Sequence, residues 1–598
     1  MAQIQWLMEE KQRRSADLKK IDTRLLFALA EQQPALAAHR PPFASALSEA
    51  ALARNRQGQI LLDVTAQHSA DYLHFIQSLE ARIVNTHKRY DAFRIWLAPD
   101  AVQRLAEHRN TRWIKPADPF LLSGTNVSEG DIAHATNLTR ANFNVDGSGV
   151  MSCAMSDSVD ALAALQASGD LPPGVTVLPG QDGGAGTSEG TALMEIIFDL
   201  APGTDLGFAT GVGGQAQMAQ NILDLAQAGC DVIVDDVLYL TEPVFQDGII
   251  AQAVDTVFDQ GVLYFSAAGN SGNLAAGTAG VLEDLYTPAP LPPPLAGNGQ
   301  SAHDFGGGNV FNTITADGPA LFTLQWSEPF GQAASDYDFI LLDSTMTTVL
   351  AASTNVQDGD DDPLEAIDTS TRDDTGNVLL ILQFAGVPQI FNMNTHRGRL
   401  DVASNGQIFG HPAAASASAV AAINVNQSGG QPFDLDNDFT LEPFSSDGPR
   451  LIFFNPDGSP IIPLRGENGV TLSPDYIKTE MRGTFPASIR EMPDFAAVDG
   501  ISTATPGFET FFGTSASAPH TAGIAALLLE VQIQVQPMND PILASELIDV
   551  LRSNALQRGE MPVAVNSGIM MGGGEHDLGI FTDGFESGDA SAWTNGNF

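Results

Sequence analysis

One segment of the chain places a serine where it could act as a nucleophile. GTSASAPHTAG, from Gly513 to Gly523, runs directly into an apolar helical stretch. A serine in a first helical turn has its own backbone NH and the positive end of the helix dipole available to an oxyanion, and Gly513 and Ala516 leave room for a substrate backbone. A residue that only caps a buried helix is the alternative. The segment makes Ser515 the candidate nucleophile.

The whole string, Pro519 included, resembles the serine motif of subtilases, the subtilisin-like serine proteases of the peptidase S8/S53 fold. The resemblance implies a serine endopeptidase that hydrolyses protein or peptide substrates through an acyl-enzyme on Ser515. SAAGNSG, from Ser266 to Gly272, is similar to the family segment that supplies the oxyanion-hole side chain, which makes Asn270 the candidate donor. A plain turn at Asn270 is the alternative.

The family's aspartate follows the first strand of the sheet. Here that strand is VMSCAMSDSVD, and Asp157 matches a variant motif in which a serine precedes the aspartate. Asp160 is its competitor. An aspartate that caps the helix expected from Val159 is compatible with the same assignment. Asp157 is therefore the candidate triad member.

The position of the family's catalytic histidine is occupied by Glu189. The matching segment, SEGTALMEIIFDLAPGTDL, keeps the Gly190 and Thr191 that follow the histidine in subtilases. His520 belongs to the serine motif, and no histidine lies near Glu189 in sequence. A glutamate whose pKa is raised by burial or by a neighbouring carboxylate can take the serine proton and return it to the leaving amine. Glu189 is therefore the candidate base.

Sedolisins, acid-active relatives on the same fold, resemble this arrangement because they carry Glu at the histidine position. Their partner Asp, four residues later, is replaced here by Leu193. Asp157 could orient Glu189 instead, and DVIVDDVLYL offers Asp235 or Asp236, of which Asp236 aligns with the position nearest the serine. Carboxyl groups held close together share a proton. Two solvated aspartates at a strand end are the alternative.

The choice of base predicts the pH dependence. A carboxylate pair predicts a bell-shaped profile on the acid side of neutrality, whereas a histidine base loses activity as the pH falls through about 6.5. His411, in GHP before AAASASAV, is the less favoured substitute base.

The elements that position these residues alternate between strands and helices. This alternation favours an α/β fold with a doubly wound parallel sheet of subtilisin type, whose site lies at the carboxyl ends of the strands. A strand, helix, strand, helix, strand order near the start resembles a subtilase propeptide, an inhibitor and folding chaperone, and short alternating strands in the middle indicate an inserted all-β sandwich. The expected segments are a helical N-terminal segment 1–57, a propeptide-like α+β domain 58–118, a catalytic domain in two parts 119–274 and 405–573, the inserted domain 275–404, and a tail 574–598.

Composition argues against several partners. Acidic residues outnumber basic ones 72 to 28, and the formal charge of -44 repels nucleic acid and anionic membranes. No apolar run approaches the roughly 18 to 20 residues of a membrane span. We expect neither nucleic acid nor a membrane as a partner, and no cofactor for catalysis.

The two cysteines, Cys153 and Cys230, each lie at the edge of an apolar run. Two buried thiols are the favoured interpretation, and a single disulfide is the alternative.

Two acidic runs are weak candidates for structural calcium, which takes about 6 to 8 oxygen ligands. Neither run has EF-hand spacing, so solvated loops are favoured over a calcium site. The runs are Asp358, Asp360, Asp361 and Asp362 in the inserted domain, and Asp434, Asp436 and Asp438 after it.

The ends of the chain bear on localisation. The first residues lack the apolar stretch of about 7 to 15 residues of a signal peptide. The last residues, FTDGFESGDASAWTNGNF, resemble a short tail of secreted bacterial proteins, with a polar tail as the alternative. We expect a secreted or cell-surface zymogen that binds its own propeptide and is cut between about Lys115 and Asn144. A catalytically inactive subtilase fold that binds peptides or protein partners is the rival function.

Overall fold

The structure of the chain is a computed structural model. It describes residues 2–42, 52–55, 57–117, 120–121, 128–291, 300–318, 321–369, 372–434, 439–461, 489–535, 543–556, 567 and 569–571. The tail 574–598, the acidic residues Asp436 and Asp438, and parts of the expected cleavage segment lie outside the described residues.

The chain begins with three helices and a 3-10 helix. Ser15 and Asp22 cap the second and third helices, because their side-chain oxygens accept hydrogen bonds from backbone amides of the first turn. The apolar faces of these helices share one core with the propeptide-like and inserted domains. The elements are α1 (Ala2–Arg13), α2 (Ala16–Lys19), α3 (Thr23–Gln32) and the 3-10 helix Pro34–His39.

A buried ion cluster joins this segment to the inserted domain. Lys11 Nζ lies 2.5 Å from Asp336 Oδ1 and 2.6 Å from Asp338 Oδ1, and the Lys11 side chain is only 1% exposed. Thr23 N also donates a hydrogen bond of 2.8 Å to Asn355 Oδ1. The N-terminal helices are therefore packed against the inserted domain, which sequence periodicity did not predict.

The propeptide-like domain is a four-stranded antiparallel sheet with two helices, in the order β2-β3-β1-β4. The structure has the predicted order of strand, helix, strand, helix and strand. It also has one further strand, β2, which the sequence analysis did not predict because its sequence, RIVNTH, is largely polar. The elements are β1 (Ile60–Ala66), α4 (Ala70–Ser78), β2 (Arg82–His87), β3 (Ala92–Leu97), α5 (Val102–Ala106) and β4 (Thr111–Pro116).

The first part of the catalytic domain alternates strands and helices as expected. Its elements are β5 (Phe120–Leu121), α6 (Gly130–Ala133), α7 (Thr136–Phe143), β6 (Met151–Ser156), α8 (Leu162–Ser168), β7 (Val175–Val177), α9 (Glu189–Leu200), β8 (Asp205–Thr210), α10 (Gln215–Ala228), β9 (Val232–Asp235), β10 (Leu238–Tyr239), α11 (Ile249–Phe258) and β11 (Leu263–Ala267).

The inserted domain consists of two antiparallel sheets, which supports the expected sandwich. One sheet has the order β12-β21-β16-β19; the other has the order β13-β14-β20-β15-β22, with β17 paired to β20 and β18 to β17. The strands are β12 (Val281–Leu285), β13 (Pro288–Pro290), β14 (Ser301–His303), β15 (Asn312–Ala316), β16 (Leu321–Trp326), β17 (Asp336–Leu342), β18 (Val349–Ser353), β19 (Leu364–Asp368), β20 (Val378–Ala385), β21 (Ile390–Asn394) and β22 (Arg399–Leu400).

The chain then returns to the catalytic sheet. Its strands pair in the order β26-β23-β11-β9-β6-β8-β7, every pair parallel, with one apolar core on each face. The doubly wound α/β prediction is confirmed. The last elements are β23 (Ser418–Asn424), β24 (Arg450–Leu451), β25 (Ile489–Arg490), β26 (Phe495–Asp499), α12 (Thr514–Val535) and α13 (Ala544–Asn554).

The cysteines correct the sequence interpretation. Cys153 in β6 and Cys230 just before β9 form a disulfide, with their Cα atoms 5.9 Å apart. The favoured expectation of two buried thiols is therefore wrong. The two residues meet because β6 and β9 are neighbours in the sheet, although 77 positions separate the cysteines along the chain.

Among the described residues, no helix combines the length and the apolar character needed to cross a bilayer.

Candidate active site

The candidate nucleophile stands at the start of the central helix. β26 ends at Asp499, and Ser515 is the second residue of α12, as the motif predicts. Gly513 has φ +110°, a conformation that favours glycine, and its amide donates a hydrogen bond of 2.9 Å to Asp499 Oδ2. α12 packs across β6, β9 and β11, so Ser515 lies at the edge where these strands end.

Asn270 lies beside the serine. Its Oδ1 accepts hydrogen bonds of 2.9 Å from both the backbone N and the Oγ1 of Thr514. The amide of Gly269 in turn donates to Thr514 Oγ1 at 3.0 Å. Because Thr514 holds the oxygen of the side chain, the Nδ2 group of Asn270 is the end that can serve as a donor.

Asp157 follows β6 and is buried. Its carboxylate accepts hydrogen bonds from the Ser158 amide at 2.5 Å, the Thr187 hydroxyl at 2.6 Å and the Glu189 amide at 3.0 Å, and also from the Thr187 amide. The competitor Asp160 is exposed and accepts from the Gly186 amide at 2.9 Å. Asp157, and not Asp160, therefore contacts the candidate base directly.

Glu189 opens α9 and is only 2% exposed. Ser188, just before it, has φ +74°, a strained conformation for a residue with a side chain. A Cβ atom at Gly190 would lie 2.3 Å from Phe208 Cε2. The backbone conformation of Ser188 and the close packing of Gly190 against Phe208 together fix the position of Glu189 at the start of α9.

The carboxyl group of Asp236 lies next to the side chain of Glu189. It is buried, and burial raises its pKa to about 8; the Ser156 hydroxyl and the Glu189 side chain lie close enough to lower that pKa as hydrogen-bonding groups, while the charges of Asp157 and Asp235 raise it. Neither Asp236 oxygen has a partner at full hydrogen-bonding geometry within the described part of the chain. Burial therefore favours the protonated form of the Asp236 carboxyl.

Arg397 of the inserted domain acts on the same site. Burial lowers the pKa of Arg397, and the charge of Glu189 raises it. His396 and Arg397 have φ +38° and +72°, so the turn that carries the guanidinium is strained. Sequence reasoning missed Arg397, because nothing in its neighbourhood along the chain indicates that this turn faces the catalytic domain.

His411 does not take the place of the base. It is fully buried, its Nδ1 lies 2.9 Å from Glu242 Oε1, and its Nε2 lies 3.0 Å from Asp235 Oδ1. Both ring nitrogens are thus occupied by carboxylates, and the structure places Asp235 against His411 while Asp236 faces Glu189. The hypothesis that His411 reaches the cleft as a substitute base is wrong.

The structure also places the remaining residues that the sequence analysis singled out, His520 and the acidic run of the inserted domain. His520 is buried, with Nδ1 2.7 Å from Ala516 O and Nε2 2.7 Å from Ser128 Oγ. Asp358, Asp360 and Asp361 each offer an oxygen within 4.8 Å of the others, and Asp358 also pairs with Lys19. This acidic group is mostly exposed, so it does not by itself define a calcium site.

The model of the subtilase family (peptidase S8) matches residues 184–561, and the chain belongs to that family. Family membership defines the chain as a serine-type endopeptidase. Its substrates are proteins or peptides. Family membership favours the enzyme over the rival of an inactive binding protein.

Solved structures of proteases are similar to the chain at low identity. The CspB protease of Clostridium perfringens is 15% identical, with 74% of this chain and 97% of that chain covered and a TM-score of 0.40. The epidermin leader peptide processing serine protease of Staphylococcus aureus is 11% identical, with 86% and 97% covered and a TM-score of 0.39. Fervidolysin from Fervidobacterium pennivorans, a keratinolytic enzyme related to subtilisin, is 12% identical, with 87% and 61% covered and a TM-score of 0.36. No curated protein matches the chain.

Proposed function

We propose that this subtilase hydrolyses peptide bonds through an acyl-enzyme on Ser515, with Glu189 in the role that histidine has elsewhere in the family. The observation that carries the proposal is the pair of buried carboxyl groups at the end of the sheet, Glu189 beside Asp236, whose pKa burial raises to about 8. One ionised and one protonated carboxyl group, held together, can accept and return a proton near neutral pH.

In the first half of the reaction, Ser515 Oγ attacks the carbonyl carbon of the scissile bond as its proton passes to the Glu189 carboxylate. The negative oxygen that forms is stabilised by the Asn270 Nδ2 group and the Ser515 amide at the start of α12. Glu189 then gives its proton to the leaving amine, and the peptide C–N bond breaks. The product is an ester between Ser515 and the acyl part of the substrate.

In the second half, water attacks the ester and Glu189 takes the proton of that water. The Ser515 oxygen leaves and recovers a proton from Glu189, which returns the enzyme to its first state. Asp157 contributes by holding the Ser158, Thr187 and Glu189 amides, which fixes the beginning of α9. Asp236 keeps its own proton throughout and stabilises the ionised Glu189 as a neighbouring donor.

The propeptide-like domain is proposed as the inhibitor of this site. β5 (Phe120–Leu121), just after that domain, pairs antiparallel with β10 (Leu238–Tyr239), two residues past Asp236. A strand added at this edge occupies the place where an extended peptide would bind. We propose on this basis a zymogen that is cut after the propeptide and acts outside the cell or at its surface.

A fluorophosphonate probe tests the enzymatic proposal, because it forms a covalent bond only with an activated serine. We expect mass spectrometry to find the label on Ser515 of the protein after its propeptide is removed, and none on the Ser515→Ala variant. Equal labelling of wild type and Glu189→Gln would contradict the role of Glu189 while keeping that of Ser515. Failure of the wild type to label at any pH between 3 and 9, a range of about 6 units around the expected carboxyl pKa values, would overturn the proposal.

A further inference from the structure

A second group of titratable side chains is buried behind the candidate active site. We call it the His411 cluster: Asp235 at the end of β9, His411, and Glu242 after β10. Nδ1 of His411 lies 2.9 Å from Glu242 Oε1 and Nε2 lies 3.0 Å from Asp235 Oδ1, and all three side chains are at most 1% exposed. The reaction proposed above does not use this cluster.

The cluster joins the two ends of one short segment of chain. That segment begins at Asp235, ends at Glu242, and carries Asp236 and the strand β10 between them. Within it, the Val237 amide donates to Asp235 Oδ1 at 3.3 Å and the Tyr239 amide to Glu242 Oε1 at 3.3 Å. His411 thus bridges the start and the end of the segment that holds the partner of Glu189.

His411 is itself held tightly from the other side. Its backbone amide donates to Glu242 Oε2 at 2.8 Å, and a Cβ atom at Gly410, whose φ is +69°, would lie 2.8 Å from Glu242 Cδ. Ser266 of β11 donates from Oγ to Asp235 Oδ1 at 3.1 Å. The imidazole therefore has one position, and that position determines where the segment begins and ends.

This inference rests on the proposed function. We infer that His411 is a positioning residue of the protease: by bridging Asp235 and Glu242 it fixes the Asp236 carboxyl beside Glu189. The Asp236 carboxyl lies close to the Ser156 hydroxyl and the Glu189 side chain but meets neither at full hydrogen-bonding geometry among the described residues, so these contacts alone determine its position only in part. Its position depends on the neighbouring Asp235, which His411 holds.

The charges of the cluster support the same role. Burial lowers the pKa of His411, but the carboxylates of Glu242 and Asp235 outweigh burial and raise it to about 10, so the ring is cationic at neutral pH. Tyr264 of β11 also faces Asp235; burial raises its pKa well above the ordinary value, and it stays neutral. The His411 cation and the two carboxylates together leave one net negative charge next to Asp236. The charge of Asp157 and the side chain of Glu189 also act on the pKa of Asp236.

The test uses two variants that change this charge in opposite directions. In His411→Gln the cation is lost, so Asp236 should ionise at higher pH, and the alkaline limb of the pH–rate profile should move up by about one unit, the scale of a nearby buried charge. In Asp235→Asn a negative charge is lost and the limb should move down by a similar amount. His303→Gln, which removes another fully buried histidine in the inserted domain, is the control and should leave the limb unmoved.

The ionisation of Asp236 can also be measured without an activity assay. The difference in unfolding free energy between wild type and Asp236→Asn, measured by urea denaturation from pH 5 to pH 10, roughly spanning the carboxyl range, reports the pKa of Asp236 directly. In the His411→Gln background the pH at which this difference levels off should move up, and in the Asp235→Asn background it should move down. If the protein is inactive at every pH, the proposed function fails while this measurement still decides the role of His411.

Two results would overturn the inference. One is a His411→Gln variant in which the stability difference levels off, and the alkaline limb falls, at the same pH as in wild type. The other is a shift in the same direction in both variants, which would indicate a general loosening of the fold. Asp235→Asn keeps the oxygen that accepts from Ser266, so it remains informative even if His411→Gln does not fold.

Discussion

The carboxylate of Asp157 accepts a hydrogen bond from the backbone amide of Glu189, over 3.0 Å. The aspartate that orients a histidine side chain in the usual triad here holds the first backbone unit of a helix. This relationship suits a carboxylate base, because two ionised carboxyl groups in direct contact would repel each other. Asp236, whose pKa burial raises to about 8, is the group that we expect to carry the proton that Glu189 needs nearby.

Glu189→Gln should abolish most of the activity. Glutamine has nearly the same size and hydrogen-bonding groups but cannot cycle a proton, so we expect a fall in kcat/KM of roughly 10²-fold or more, the usual scale for a general base. Hydrolysis of a casein-type substrate measures it. Asp160→Asn, a change of the exposed competitor whose carboxylate accepts from the Gly186 amide just before Glu189, is the control and should stay within a few-fold of wild type. Similar losses in both variants would assign the effect to the loop and not to the base.

Asp236 should set the alkaline side of the pH profile. Because burial raises its pKa to about 8, the carboxyl loses its proton as the pH rises through about 8, and activity should fall there. Asparagine still donates a hydrogen bond but does not titrate, so Asp236→Asn should keep measurable activity and lose this limb. A limb that persists unchanged in Asp236→Asn would exclude Asp236 as its origin.

The raised pKa of Asp236 also predicts how stability depends on pH. A carboxyl whose folded pKa lies above its unfolded value contributes stability that is complete below the unfolded pKa of about 4 and is lost as the pH rises through the folded value. The unfolding free energy of wild type should therefore decrease relative to Asp236→Asn between about pH 4 and pH 8. Urea denaturation across this range measures the difference. A flat difference would show that Asp236 is ionised throughout.

Lys11 should matter far more for stability than Lys19, although both bind aspartates of the inserted domain. Removing Lys11 leaves Asp336 and Asp338 buried without their cation, so Lys11→Met should destabilise the protein by about 3–5 kcal/mol. The pair of Lys19 with Asp358 is 34% and 51% exposed, and Lys19→Met should cost less than about 1 kcal/mol. Chemical denaturation of the two variants makes the comparison. Equal small effects would mean that the N-terminal helices are not anchored through Lys11.

The propeptide prediction concerns the covalent state of the purified protein. We expect mass spectrometry to find a cut between about Lys115 and Asn144, and we expect Ser515→Ala to remain uncut when no other protease is added. The segment contains β5, whose pairing with β10 brings the chain to the active-site edge. A Ser515→Ala variant that matures like wild type would rule out self-processing.

Local patterns were sufficient to predict the α/β fold of the catalytic domain. The strand and helix alternation, the serine at the start of α12 and the asparagine after β11 are features of short stretches, because helix starts, strand periodicity and turns depend on neighbouring residues. The order of strands in the parallel sheet then brings the ends of these stretches to one edge. The motif around Ser515 indicates a nucleophile by itself, whereas Asn270, Asp157 and Glu189 were predicted from the resemblance of their segments to the subtilase family.

The tertiary structure alone decided which partners these residues have. Alternation along DVIVDDVLYL shows that Asp235 and Asp236 point in opposite directions, but not that one meets His411 and the other Glu189. The disulfide of Cys153, the anchor of Lys11 and the approach of Arg397 to Glu189 all join positions far apart in the chain. Such pairs depend on how the strands and the inserted domain pack together. The burial that shifts the pKa of Asp236 and of His411 also arises only from this packing.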